Sequence, residues 1–377
     1  MTKVSPLGTY VDSDKSVTFK ERPQSDNKVA SQRSEEEKRM LNWYLQNGKD
    51  SDVVISSRVR LARNLKDWPF PTKLTKEQAK ELLEKIKEIT PSLGYGLKLI
   101  QLEDLDDMTK VSLVEKHILS PEFAMNEKKI GALMINNEEN IAIMVNEEDH
   151  IRMQFFCSGL DLDNLKNLAV EIDEKLDNLL PYACHEKYGY LTACPTNVGT
   201  GMRASVMVHL PALTMTGNIN KILNVVNGFG MNIRGIYGEG TQSQGDIYQI
   251  SNHQTLGLTE NDIIKNLNLI TEKVIEQERM ARKHLAKNSI DLEDRVYRAY
   301  GTLAFATKLS SEECKKLLSY IKLGTDLGII KELTDSKVSK LYLYTQPANL
   351  QKYLGKQLDG YERELKRPEV IKQIIKE

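Results

Sequence analysis

GYLTACPTNVGTGMRASVMVHL, residues 189–210, is the stretch on which the fold turns. GYLTAC and RASVMVHL read as strands, and between them Gly199 and Gly201 mark a turn where absent side chains let backbone approach a ligand or another segment. The first strand ends at Cys194 and the turn leads to Arg203. A P-loop is excluded, because the order GxxxxGK[ST] is missing and no lysine follows the glycines. A lone cysteine in such a place fits buried packing as well as chemistry, and turns reactive only where cationic neighbours lower its pKa.

Upstream, Leu162, Leu165, Leu168, Ala169, Ile172, Leu176 and Leu179 recur at helical spacing and predict one long helix ending at Pro181. GALMINNEENIAIMVN, residues 131–146, has two apolar runs around a polar turn, the pattern of a β-hairpin. TKEQ at Thr75 has the form of a capping box, followed by Ala79, Leu82, Leu83 and Ile86, so a helix is expected to about Ile89, stopped by Pro91. SDVVISSRVRLARN, residues 51–64, alternates like a strand running into a basic segment. Downstream, MNIRGIY (231–237) reads as a strand and GEGTQSQGD (238–246) as a mobile loop between strands.

Runs of strands with helices between them, and no repeated βαβ unit, predict an α+β fold with an antiparallel sheet. From the TEND cap at Thr259 the pattern is helical almost to the end, so a helical C-terminal domain is expected over 259–377. Residues 1–38 are polar, with Pro6 and Pro23 and few periodic apolar positions, and are expected to form a flexible arm ahead of a catalytic domain over 39–258.

Composition limits the function classes. The chain of 377 residues is 40% apolar and 28% charged, enough for a sizeable core. Its 52 Lys and Arg against 53 Asp and Glu leave a formal charge of −1, so no bulk field draws it to nucleic acid or lipid, and any anion site must be local. No apolar run reaches the length of a membrane span, and the first forty residues lack the apolar centre of a signal peptide, so a cytoplasmic location without membrane contact is expected. Cys157, Cys184, Cys194 and Cys314 show no CxxC spacing, which argues against disulfides or a zinc site.

Four features could carry chemistry. NEEDHIR, Asn146–Arg152, gathers Glu147, Glu148 and Asp149 where a strand ends; like carboxylates repel there unless a cation joins them, although an ordinary solvated turn also fits. His150 has no companions at metal-ligand spacing, so no metal site is expected. Arg58, Arg60, Arg152, Arg203 and Arg234 each sit beside a strand end; converging guanidinium forks would clamp phosphate oxygens, while surface ion pairs are the plain alternative. Cys194 and its glycine turn are the third feature. Glu239, between Gly238 and Gly240, lies on a loop able to close over a substrate or merely to connect strands.

In order and wording, NEEDH and CPTNVGTGMRAS resemble the ATP:guanido phosphotransferases, the family of arginine and creatine kinases, from about Ser51 to about Glu260. The closest likeness is to the bacterial branch, the protein arginine kinases; EDRVYRAYGTLAFATKLSSEE, residues 293–313, resembles the extra domain of that branch. The resemblance implies a kinase moving the γ-phosphoryl group of ATP, with Mg2+, to arginine side chains of protein substrates. It implies that Glu148 and Glu239 grip the target guanidinium with Glu148 as base, that Cys194 assists beside it, and that the five arginines hold the nucleotide phosphates. It further implies a homodimer, bacterial stress response, a zinc-binding activator protein, a heat-shock repressor and a Clp protease as partners.

Departures from the family pattern matter too. Only 57 residues precede Arg58, whereas small-guanidine kinases carry a helical domain there that supplies their substrate-specificity loop. Met207 replaces the adenine-stacking histidine of those enzymes. The phosphoarginine-binding RDxxRA segment of many protein arginine kinases reads here Arg363, Glu364, Leu365, Lys366, Arg367, Pro368, so an allosteric pocket around Arg363 and Glu364 is expected to be weakened. A kinase of free arginine and a non-catalytic phosphoarginine-binding adaptor are the alternative readings.

Overall fold

Along β1 (Val54–Arg63) Val59 and Leu61 alternate with Arg58 and Arg60, and a pleated strand sends such sets to opposite faces. The computed structural model describes residues 42–126, 129–236 and 243–377, so the arm expected over 1–38 and Glu239 lie outside the described residues. The other strands are β2 (Lys98–Gln101), β3 (Ala132–Ile135), β4 (Ile141–Val145), β5 (Ile151–Ser158), β6 (Cys184–His185), β7 (Gly189–Tyr190), β8 (Met202–His209), β9 (Met231–Gly235) and β10 (Ile247–Asn252). Eight of them form one sheet in the order β2-β3-β4-β5-β1-β8-β10-β9, antiparallel at every pairing, while β6 and β7 pair apart. The expected antiparallel, helix-flanked architecture is present.

Helices follow as α1 (Lys76–Leu93), α2 (Asp107–Glu115), α3 (Pro121–Ala124), α4 (Leu162–Leu179), α5 (Pro211–Met215), α6 (Ile219–Gly228) and α7 (Glu260–Leu285). Then come α8 (Ser289–Phe305), α9 (Ser311–Asp326), α10 (Asp335–Tyr344), α11 (Pro347–Leu354) and α12 (Gly360–Lys376). One sheet face, with Val59, Leu61, Met153, Phe155, Val206 and Ile250, joins the main core with Leu82 and Ile86 of α1, Leu165 and Ile172 of α4, and Leu267 and Val274 of α7. On the other face, among the described residues, α2 and α3 cover the β3–β4–β5 end, through Leu113, Phe123, Leu133, Met144 and Phe156. The rest of that face is polar. A second core gathers Leu292, Val296, Leu318, Ile321, Leu341 and Ile371 from the C-terminal helices.

Two local expectations are corrected. GYLTAC is not a single strand: Gly189 and Tyr190 pair with His185 and Cys184, and the chain then leaves the ladder. Leu191 N still bonds Ala183 O in line with that short pairing (2.9 Å), but Ala193 N is spent on a side chain, Asp149 Oδ1 (2.7 Å). Pro91 does not stop α1, which runs on to Leu93. The proline is exposed and removes one backbone donor, while Thr90 Oγ1 donates back to Ile86 O at 2.7 Å.

A polar seam joins the C-terminal helices to the sheet. Glu115 accepts from Ala348 N (2.7 Å) and Asn349 N (2.9 Å) at the start of α11, and burial pushes its carboxyl up to about 7. Ser319 Oγ of α9 donates to Asp246 Oδ2 (2.6 Å) and meets His209 Nε2 at 2.9 Å. Pro368 lies inside α12 and has no N–H for Glu364 O; that carbonyl accepts instead from Leu309 N (2.9 Å).

Arg63 at the end of β1 has the opposite phase to Arg58 and Arg60 and enters the protein, 1% exposed. Its Nη2 meets Asp173 Oδ2 at 2.6 Å, Nη1 donates to Ala62 O and Thr200 O (2.9 Å each), and the guanidinium lies 3.6 Å from the Tyr190 ring centroid. It binds α4 to β1 and to the glycine turn. Removing one partner of such a pair leaves a buried charge, so Arg63→Met is expected to lower the unfolding free energy by about 3–5 kcal/mol. Chemical denaturation would measure this; a loss below about 1 kcal/mol would contradict the role given to the pair.

Candidate active site

Strand register builds the site. Arg60 lies directly opposite Arg203 across β1 and β8, Arg152 opposite Ala62 across β5 and β1, and Arg234 opposite Gln249 across β9 and β10. Arg58 faces Ser205 in the same ladder. All five guanidinium-bearing positions therefore share the polar sheet face, although they come from β1, β5, β8 and β9. Like charges on facing residues repel, so the arrangement favours an anion between them.

The arginines are individually steadied. Arg58 donates to Ser205 Oγ (3.3 Å) and Gln249 Oε1 (3.4 Å). Arg203 Nε donates to Asn197 Oδ1 (3.2 Å) and Nη1 to Asn252 O (2.9 Å). Arg152 Nη1 is held by both Glu147 oxygens at 2.9 and 2.8 Å. Arg60 Nε is buried without a hydrogen-bond partner. Burial first, then the fields of Arg58, Arg152, Arg203 and Arg234, push the Arg60 guanidinium well below the ordinary arginine range.

A cleft of about 320 Å³ opens on this face, lined by Arg60, Arg152, Arg203 and Arg234 together with Glu148, Asp149 and Cys194. Arg58 is beside it and not in its lining. The acidic cluster is the loop between β4 and β5, entered through Asn146 in the left-handed region (φ 58°) and closed by Asn146 N donating to His150 O at 2.9 Å. Its three carboxylates have separate surroundings. Glu147 accepts from Arg152, from Ser120 Oγ (2.7 Å) and from Glu148 N (2.8 Å). Asp149 Oδ1 accepts from Asn64 Nδ2 (2.6 Å) and Ala193 N (2.7 Å), whereas its buried Oδ2 takes no hydrogen bond.

Glu148 is exposed, and among the described residues no hydrogen bond engages its carboxylate. Partial loss of water around the carboxyl, then Asp149 and Glu147, raise it above the usual glutamate range, against Arg152 and Lys129. A raised carboxylate that is free to accept is suited to proton transfer. His150 is structural: Nδ1 accepts from Leu65 N (3.1 Å), Nε2 lies 2.9 Å from Pro69 O, and burial pushes its pKa down to about 4. No group of three or more His, Cys, Asp or Glu among the described residues is placed to hold a metal.

Cys194 opens a short 3-10 turn, Pro195–Asn197, with Sγ 3.0 Å from Thr196 Oγ1. The glycine turn behind it has no room for side chains: Gly199 has φ 113° and a Cβ there would meet Thr255 O at 2.4 Å, and Gly201, φ 64°, would meet Ala62 O at 2.7 Å. Glu239 lies outside the described residues. At α12, Arg363 Nη1 donates to Leu358 O (2.9 Å) and Glu364 pairs with Lys308 (3.0 Å).

Sequence reasoning passed over several residues of this region. Asn64 bonds Asp149 of the acidic cluster and so ties the loops, and Arg63 braces the turn; the signal for Arg63 is Asp173, a charge inside the apolar stripe of α4. His117, at φ 61° after α2, is pushed down to about 4 by burial and by Arg58, Arg234 and Lys315. Nothing in the local sequence of His117 marks it.

A family model described as ATP:guanido phosphotransferase, C-terminal catalytic domain, matches residues 77–281, and one described as Protein-arginine kinase McsB C-terminal domain matches residues 289–377. Similar proteins include the Protein-arginine kinase of Halothermothrix orenii, 46% identical over 337 residues, covering 89% of this chain and 96% of that protein. The Protein-arginine kinase of Caldanaerobacter subterraneus subsp. tengcongensis is 48% identical over 327 residues, covering 85% and 96%. Among solved structures, the duplicated taurocyamine kinase from Schistosoma mansoni, with bound transition state analog components, gives a TM-score of 0.54 at 31% identity. That likeness covers 62% of this chain and 34% of the other, so the chain spans about a third of the duplicated kinase. A lombricine kinase gives a TM-score of 0.54 at 25% identity over 64% of this chain and 70% of its own. With matches over both its sheet and its C-terminal helices, the chain belongs to the ATP:guanido phosphotransferase family, in its protein-arginine kinase branch.

Proposed function

We propose that this kinase transfers the γ-phosphoryl group of ATP to a guanidinium nitrogen of arginine residues in other proteins, with magnesium entering as part of the nucleotide substrate. The observation that carries the reading is a single cleft in which four arginines face Glu148 and Cys194. Arginine side chains are protonated at any physiological pH and are poor nucleophiles. Glu148 aligns the guanidinium and accepts its proton as the nitrogen attacks the γ-phosphorus; the P–N bond forms while the bond to the ADP oxygen breaks. Arg58, Arg60, Arg152, Arg203 and Arg234 hold the phosphates and stabilise charge on the phosphoryl group in flight. Cys194 lies beside the guanidinium and favours its placement, and Glu239 grips its other side.

A cytoplasmic bacterial setting, a role in stress response, self-association, and partners such as a zinc-binding activator, a heat-shock repressor and a Clp protease belong to the same reading, supported by the likeness to Protein-arginine kinases. Incubation with labelled ATP and magnesium, offering mixed proteins beside free arginine, tests it. Acid-labile label on protein supports the reading; acid-stable label, or label on free arginine alone, contradicts it.

Glu148→Gln is expected to lower kcat by about two to four decades while ATP binding stays nearly intact, because proton transfer and alignment are lost. Single-turnover rates beside nucleotide titrations separate the two effects, and an unchanged turnover would remove Glu148 from the role. Arg203→Lys should cut kcat/KM by at least about tenfold, since an ammonium cannot reproduce a forked phosphate contact. Wild-type kinetics in that variant would contradict the clamp.

At α12 we propose that any phosphoarginine site is weak. Arg367 is fully buried and spends its guanidinium on Leu309 O (2.6 Å), Thr345 O (2.9 Å) and Ser311 Oγ (3.2 Å), which leaves Arg363 as the arginine nearer the surface. Free phosphoarginine is therefore expected to change the rate by less than about fivefold, the lower end of allosteric coupling. Activation of tenfold or more, abolished in Arg363→Ala, would overturn this.

A further inference from the structure

Glu148 and Cys194 stand on loops 46 residues apart in the chain, and neither loop belongs to a strand or long helix that would fix it. What lies between them is buried and polar. Asp149, 1% exposed, follows Glu148 directly, and its Oδ1 accepts from Ala193 N, the residue before Cys194, at 2.7 Å. The same oxygen accepts from Asn64 Nδ2 at 2.6 Å. Asn64, also 1% exposed, sits just past the end of β1, donates to Leu191 O (3.0 Å), and accepts from His150 N (3.0 Å). One carboxylate and one amide thus touch both neighbours of the reacting region, at four points.

We infer that Asp149 and Asn64 are positioning residues that set the separation of Glu148 and Cys194 by bonding the two loops to each other and to the end of β1. The inference rests on the reading that these two groups flank the target guanidinium. A buried hydrogen bond to a charged acceptor is stronger than a neutral one, and in a dry site it holds geometry that a solvated loop would lose. Small displacements matter, because a misplacement of about 1 Å can cost a hundredfold in rate. The nucleotide arginines stand on β1, β5, β8 and β9 and take their backbone geometry from the ladder, with loop contacts from Glu147 to Arg152 and from Asn197 to Arg203, so loosening this brace is expected to disturb the two loops more than nucleotide binding.

The geometric role is separable from charge. Asp149→Asn keeps the accepting oxygen and removes the charge, Asp149→Ala removes both, and Asn64→Asp keeps the shape of the side chain while deleting the donor to Asp149 and Leu191. In the full chain, Asp149→Ala and Asn64→Asp are expected to lower kcat by about tenfold to a hundredfold with KM for MgATP within about twofold, and Asp149→Asn to recover most of that loss. A second readout uses no substrate: carboxamidomethylation of Cys194 by iodoacetamide, followed by peptide mass spectrometry against the exposed Cys184 as internal reference. The ratio of the two rates should change by at least about threefold in Asp149→Ala and return in Asp149→Asn, as thiol reactivity follows local surroundings. Equal losses of kcat in the Asn and Ala variants would overturn the inference, since the charge itself would then be touching substrate. Unchanged kcat and Cys194 reactivity in both Asp149→Ala and Asn64→Asp would overturn it as well. Should Glu148→Gln turn over normally, the reading of the reacting pair falls, while the alkylation ratio still decides the positioning on its own.

Discussion

Five guanidinium groups on one face of one sheet impose the constraint that the rest of the structure answers. Arg60 and Arg203 are direct cross-strand partners, an arrangement that repels in the absence of an anion. The opposite face of the same strands is the main hydrophobic core, closed by α1, α4 and α7. Burial on that side supplies the stability that lets the strands carry mutually repelling charges on the other. Ser205, Gln249 and Asn197 surround the arginines with acceptors that do not neutralise them. Arg152 is paired with a carboxylate, Glu147. The field that remains suits the terminal phosphates of a nucleotide.

Around that face the chain uses buried polar contacts where apolar packing could not hold a loop in one place. Arg63 with Asp173 anchors the glycine turn to α4, and Asn64 with Asp149 anchors the cysteine segment to the acidic loop. Apolar contacts are non-directional; hydrogen bonds to charged groups fix direction as well as distance. The same preference marks the seam with the C-terminal helices, where Glu115 meets the start of α11 and Ser319 meets Asp246 and His209. Asp246 lies seven positions after Glu239 in the sequence, so α9 touches a residue close in sequence to that glutamate.

Much of the fold was legible because it depends on period. The stripe from Leu162 to Leu179 became α4, the capping boxes at Thr75 and Thr259 became the starts of α1 and α7, and the hairpin of residues 131–146 became β3 and β4. Readings failed where local propensity met a competing partner. GYLTAC has strand-forming residues, yet Ala193 N is taken by the Asp149 carboxylate, so the pairing does not run on towards Cys194. Pro91 has the look of a helix stop, yet one missing donor at an exposed position does not outweigh the packing of Leu93 in the core. The motifs drew attention to the arginines, the acidic loop and Cys194 that line one cleft, whereas the contact of Asn64 is with a partner 85 residues away.

By itself the amino-acid sequence determined the alternation that puts Arg58 and Arg60 on one side of a strand and Val59 and Leu61 on the other, because the side-chain direction of a strand follows from backbone geometry alone. It also determined the close approach at Gly199 and Gly201 and the gathering of three carboxylates in one loop. Only the tertiary structure decided which carboxylates are engaged in hydrogen bonds among the described residues. Glu147, Glu148 and Asp149 are adjacent and chemically alike in the chain, and they part only when Arg152, Ser120, Asn64 and Ala193 arrive from other strands and loops to occupy two of them. Register decided that Arg203 and Arg234 join Arg58 and Arg60 on the same face, since a slip of one residue would have turned each of them into the core.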